Sequence, residues 1–119
     1  MGKMQRDKGK RWERAVAALY QEALGLGKRT GWHQSHGLEV ADVTVVLPLH
    51  PHWPRGIWNE CKHHKLVPLR AAMRQAIHDA PTGHLPIVVA KDDRSEPLVV
   101  LRLTDWLALL ASTNSKEPE

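Results

Sequence analysis

The sequence predicts an α/β domain: a central mixed five-stranded β-sheet flanked by helices. Three observations carry that prediction. Apolar residues recur at three- and four-residue steps in two segments, around residues 12–23 and 67–80, which is the helical period. Runs rich in Val, Ile and Leu at 39–47, 57–62, 85–90 and 98–103 read as strands, and a short strand is expected within 28–37. The segments alternate as helix, three strands, helix, two strands, helix, an order that lays helices on the faces of one sheet.

Each element has a local cause. Lys3, Arg6, Lys8, Lys10 and Arg11 run into a first helix whose apolar stripe is Trp12, Ala15, Val16, Leu19 and Ala23, with Glu13 at its edge. Gly25 and Gly27 end it. Cations at a helix N-terminus oppose the macrodipole, a cost that a bound phosphate backbone offsets. Residues 28–37 (KRTGWHQSHG) give a short strand and a polar loop. In EVADVTVVL, residues 39–47, Val43, Val45 and Leu47 share one face, and Asp42, Thr44 and Val46 the other. Prolines 48, 51 and 54 then interrupt the chain. In IWNECK, residues 57–62, alternation sets Trp58, Glu60 and Lys62 on one face and Ile57, Asn59 and Cys61 on the other.

Pro68 suits the first turn of a second helix over 67–80, with Leu69, Ala72, Met73, Ala76 and Ile77 as its stripe and Arg70, Arg74 and His78 as a basic face. LPIVVA and LVVLRL are buried strands joined by the turn KDDRSEP. Thr104 is a candidate cap for a last helix, DWLALLA. The first strands pair as an antiparallel meander, and the crossover helix lets LPIVVA lie parallel in the sheet. Residues 1–111 form one domain, followed by a disordered polar tail, 112–119.

Composition narrows the function classes. The chain has 119 residues, 42% hydrophobic and 25% charged, which is one soluble domain with one real core. No apolar stretch reaches membrane-spanning length and no N-terminal signal pattern is present, so no membrane partner is expected. The single cysteine, Cys61, cannot close an internal disulfide, which fits a reducing cytoplasm. Net charge is +4 and the pI near 9.5, favouring a polyanionic partner.

The chemistry concentrates in Asp42, Glu60 and Lys62. An acid-x-Lys triplet arises about once by chance in a chain of this composition, so Glu60-Cys61-Lys62 draws its weight from its location. It sits inside an apolar strand, where unpaired charge is expensive. A simple Glu60–Lys62 ion pair is one explanation. A metal site explains Asp42 as well: Asp42, Glu60 and the backbone carbonyl of Cys61 supply oxygens for Mg²⁺, with Glu13 within reach from the first helix. Such an ion lowers the pKa of a bound water and neutralises charge on a scissile phosphate, and Lys62 stabilises the transition state.

KGKRWER at 8–14, VADVTVV at 40–46 and NECKHHK at 59–65 together resemble the PD-(D/E)xK, restriction-endonuclease-like superfamily. Within it the chain is similar to the archaeal-type Holliday-junction resolvases, which phages also carry. The resemblance covers roughly residues 3–110 in element order. It implies a restriction-endonuclease-like fold, a metal site of Glu13, Asp42, Glu60 and Lys62, and Mg²⁺ as cofactor with Mn²⁺ as substitute. Arg14 matches the basic residue after the first glutamate, and Ser35 is the candidate for a serine on a mobile loop. Ala41 stands where the superfamily carries proline. The resemblance further implies a symmetric homodimer whose two active sites cut opposing strands of a four-way junction, in the host cytoplasm if the chain is phage-encoded.

The expected activity is therefore structure-selective cleavage of branched DNA, with Lys8, Lys10, Arg11, Arg14, Lys65, Arg70 and Arg74 holding phosphates. The alternatives are a PD-(D/E)xK nuclease with another DNA substrate and a non-catalytic nucleic-acid-binding module. Zinc is disfavoured: Cys61 and His63 face away from Glu60, and no Cys-x-x-Cys or His-x₃-His pair is present. His33, His36, His63 and His64 are candidates to ring the cleft. Trp12, Trp58 and Trp106 fall at core positions, while Trp53 either packs or stacks on an unpaired base.

Overall fold

A computed structural model describes residues 2–25, 32–34, 43–46 and 49–113. The elements are α1 (Gly2–Leu24), β1 (Trp32–Gln34), β2 (Val43–Val45), β3 (Gly56–His64), α2 (Leu69–Asp79), β4 (His84–Asp92), β5 (Leu98–Val100) and α3 (Leu103–Thr113). The strands are hydrogen-bonded in the order β1-β2-β3-β4-β5. The pairs β1–β2, β2–β3 and β4–β5 are antiparallel and β3–β4 is parallel, as the meander-plus-crossover reading requires.

Both faces of β3 and β4 are covered, and β4 is accordingly a nearly continuous apolar run, whereas β3 carries Asn59 and Glu60 within its buried stretch and Lys62 at the end of it. On one face α1 contributes Trp12, Val16 and Ala17 to a core with Val43, Trp53, Cys61, Leu85, Ile87 and Val89. On the other, α2 contributes Ala72, Met73 and Ala76, packed with Val67, Val88 and Ala90. Pro86 is tolerated inside β4 because β5 pairs only with Val88–Ala90, leaving that side of Pro86 without a ladder. Gly25 ends α1 in the left-handed region, at φ +66°, where glycine alone is unstrained. Gly27 lies outside the described residues.

Several expectations change. The basic segment is itself helical, since α1 starts at Gly2; its Lys, Arg and Gln residues are good helix formers, and Lys3 pairs with Asp7 one turn on, at 3.8 Å. The stripe of α1 is rotated. Trp12, Val16, Ala17 and Tyr20 face the sheet, whereas Ala15, Leu19 and Ala23 are exposed. Two hydrogen bonds set that rotation: Trp12 Nε1 donates to the Val89 carbonyl at 3.0 Å, and the Tyr20 hydroxyl to Asn59 Oδ1 at 2.7 Å. Trp53 is buried in the α1-side core, which removes it as a base-stacking platform. Trp106 is 47% exposed and not a core residue. Strand β5 ends at Val100, because Leu101 and Arg102 turn into α3. Thr104 consequently lies inside the first turn of α3, and the helix continues through Ser112 and Thr113, which were expected in the tail. Residues 114–119 lie outside the described residues.

Candidate functional site

The period of two in β3 decides which groups meet. Glu60 and Lys62 project on the α2 side, with Val88 and Ala90 as their ladder partners on β4. Asn59 and Cys61 project on the α1 side. Glu60 is 6% exposed, and Lys62 Nζ lies 3.7 Å from its Oε2. Burial pushes the Glu60 pKa up. Lys62 opposes that shift, and the charges of Asp79 and then Glu13 reinforce it. Glu13, on half-buried α1, and Asp79, in the last turn of α2, are thus electrostatic neighbours of the same carboxylate.

Asp79 escaped the sequence reading. A signal was present: an acid in the last turn of a helix opposes the macrodipole, so it calls for a local reason. His78 Nδ1 lies 3.0 Å from its Oδ1. Asn59 and Tyr20 also escaped it. The Asn59 side chain, 0% exposed, accepts from Tyr20 and donates through Nδ2 to the Val43 carbonyl at 3.1 Å. Burial pushes the Tyr20 phenol up to about 12, so it stays a neutral donor. Trp58 Nε1 and His84 Nδ1 are buried without hydrogen-bond partners, their rings in edge contact at 5.7 Å.

Asp42, Ser35 and His36 lie outside the described residues. Asp42 immediately precedes Val43, whose ladder partner Asn59 immediately precedes Glu60. Among the described residues no group of three or more His, Cys, Asp and Glu stands close enough to hold a metal. Glu13 and Asp79 act on Glu60 through their charges, and carboxylate oxygens suit a hard cation that keeps several waters. The Cys61 thiol is in the α1-side core, so only its backbone is available to such an ion. His63 Nε2 lies 3.1 Å from Asp93 Oδ1, and its ring meets Trp12 edge-on. Burial and the charge of Lys8 lower its pKa, while Asp93 pulls it back.

The basic residues divide. Lys8 is engaged, its Nζ 3.0 and 3.3 Å from the two carboxylate oxygens of Asp93. Lys10, Arg11, Arg14 and Lys65 are exposed. Arg70 and Arg74 line a hollow of about 760 Å³ with Met73, Ile77, Val100 and Arg102, between α2 and the β5–α3 corner. The chain matches no family model, no curated protein and no solved structure.

Proposed function

We propose that this protein is a metal-dependent endonuclease of the restriction-endonuclease-like kind, cutting branched DNA as a symmetric dimer. One observation supports this above the rest. A glutamate and a lysine share one buried strand face at 3.7 Å, and burial together with two further carboxylates keeps the glutamate above its usual pKa. A simple ion pair gives no reason for Asp79 and Glu13 to stand near, since like charges destabilise one another. A cation bound at Glu60 would offset that repulsion.

Glu60 and Glu13, with Asp42, would hold Mg²⁺ or Mn²⁺. When bound, such an ion lowers the pKa of a water and neutralises charge on a phosphodiester. The chain's own part is then plain. Glu60 must be ionised to act as a ligand, so the site tightens as pH rises through its raised pKa. Lys62 Nζ, 3.7 Å from that carboxylate, would orient the attacking water or meet the negative charge developing on the phosphoryl oxygens. Exposed Lys10, Arg11, Arg14 and Lys65 bind the backbone without reading sequence. Two-fold assembly is supported by β5, which is last in the sheet order, and by the exposed Leu103, Trp106, Leu107 and Leu110 of α3 beside it.

The test compares a labelled four-way junction, a duplex and a single strand, each with Mg²⁺ or EDTA. The expected result is Mg²⁺-dependent cutting of the junction. Asp42→Ala, Glu60→Ala and Lys62→Ala should each slow it by about 100-fold or more while junction binding persists. Binding without nicking of any substrate would leave a non-catalytic module. Equal cutting of all three substrates would leave a nuclease without branch selectivity.

A further inference from the structure

We infer that the hollow between α2 and the β5–α3 corner is a docking site for a peptide segment of a partner protein, one that sets carboxylates beside large apolar side chains. None of its residues belongs to the metal site proposed above. At about 760 Å³ it falls within the roughly 300–1,000 Å³ of ordinary ligand pockets. Its lining joins two chemistries: the guanidinium groups of Arg70, Arg74 and Arg102, and the apolar side chains of Met73, Ile77 and Val100. Among the described residues no acid lines it.

Two of the three guanidiniums are uncompensated. Arg70 and Arg74 are exposed and four residues apart on α2, so they stand on one helix face as like charges. Among the described residues neither makes an ion pair. Arg70 is also in the first turn of α2, where a cation opposes the macrodipole, and that turn has neither an acid nor a side-chain cap. Both arrangements cost the free protein some stability, and a bound anion offsets both. Arg102 differs. Its Nε donates to Asp105 Oδ2 at 3.0 Å, which fixes the guanidinium and uses one of its five N–H donors. It is a pre-oriented hydrogen-bond donor more than a free charge.

The apolar part of the lining decides what the anion is attached to. A phosphodiester backbone would answer Arg70 and Arg74 and leave Ile77 and Val100 in water. A second copy would bring a chain of net charge +4 to a positive rim. A flat anionic membrane would meet the rim of a concave surface and not its floor. A peptide that carries Asp or Glu next to Leu- or Phe-like side chains answers both chemistries. Its carboxylates accept paired N–H bonds from the arginines, and its apolar groups leave water against Met73, Ile77 and Val100.

Fluorescence anisotropy with a panel of fluorescein-labelled peptides tests this in the full chain. Each probe sets two aspartates at a different spacing from a leucine or phenylalanine. Counter-probes carry asparagine for the aspartates, or serine for the apolar residue. The proteins compared are wild type, Arg70→Gln with Arg74→Gln, and Lys10→Gln with Arg11→Gln, each checked by circular dichroism. The last pair removes the same charge from an exposed stretch of α1. At least one acidic–apolar probe should bind wild type and weaken about 10-fold or more in the Arg70/Arg74 variant, and hardly at all in the Lys10/Arg11 variant. Both counter-probes should bind weakly. Equal binding of the serine counter-probe overturns the docking site, since charge alone would then explain the contact. So does an equal loss in the Lys10/Arg11 variant, or no binding by any probe at about 1 mM. Duplex DNA and anionic phospholipid vesicles are measured beside the peptides. If either one loses more affinity than the best peptide in the Arg70/Arg74 variant, the hollow belongs to that occupant and the peptide site falls.

Discussion

At the scale of single residues, Glu60 is the group whose environment is least comfortable. Its carboxyl titrates above the ordinary value of 4.5, chiefly through desolvation. The native state therefore holds a proton more tightly than the unfolded chain between those two pKa values. Stability falls as pH rises through that window and stays lower above it. Replacing the charge with an amide removes the penalty. In the absence of metal, Glu60→Gln should stabilise the protein at pH 7 by about 1 kcal/mol, a gain that disappears near pH 4. Melting curves at the two pH values check this; a loss of stability at pH 7 would mean that the Lys62 pairing outweighs desolvation. Adding Mg²⁺ should then raise the melting temperature of wild type and not of Glu60→Gln, because a ligand stabilises only the form that binds it.

At the scale of elements, α1 is held by a few specific contacts. Trp12 fills the core and its Nε1 bonds to the Val89 carbonyl, tying the helix to β4 rather than to a nearby loop. Trp12→Phe keeps an aromatic ring but leaves that carbonyl short of a partner and a gap beside it. The expected cost is about 2 kcal/mol in urea denaturation. The Lys8–Asp93 contact joins the same helix to the turn after β4, but Asp93 is exposed and water screens the pair. Lys8→Ala should leave the urea midpoint where it is. An equal loss in both variants would show that the N-terminal turns of α1, and not the tryptophan, dock the helix. Since α1 carries Glu13 and Tyr20, this docking also sets one side of the candidate site.

At the scale of the whole molecule, the two ends of the sheet differ. The candidate site lies toward the β2–β3 side, whereas β5 and α3 present a run of exposed apolar groups: Leu98, Val99, Leu103, Trp106, Leu107 and Leu110. Leu103 is 68% exposed, and Leu107 and Leu110 follow it at helical spacing. Val99, Leu103 and Trp106 line one shared hollow of about 530 Å³, so strand edge and helix stripe are continuous. An apolar helix that leaves such a stripe in water is the usual mark of an interface. If the proposed two-fold assembly forms through this stripe, Leu107→Glu should yield a monomer by light scattering, with an unchanged circular dichroism spectrum. A wild-type chain that is monomeric at tens of micromolar would remove the two-fold assembly from the proposed function.

Much of this was written in local pattern. The period of two alone put Glu60 and Lys62 on one face of a strand, and the helical period alone located α1 and α2, because both follow from backbone geometry that neighbours along the chain share. Pro68 and Gly25 marked ends for the same reason. Local pattern was silent wherever a distant partner decided. It could not orient α1, since Trp12 and Tyr20 find their hydrogen-bond partners on β4 and β3. It could not tell that Trp53 is buried and Trp106 exposed, since both sit beside apolar residues. It did not bring Asp79 to Glu60, which are nineteen positions apart in the chain. Sequence determined which side chains each element presents. The tertiary structure decided which of them meet, because burial and long-range hydrogen bonds belong to pairs of elements and not to either one.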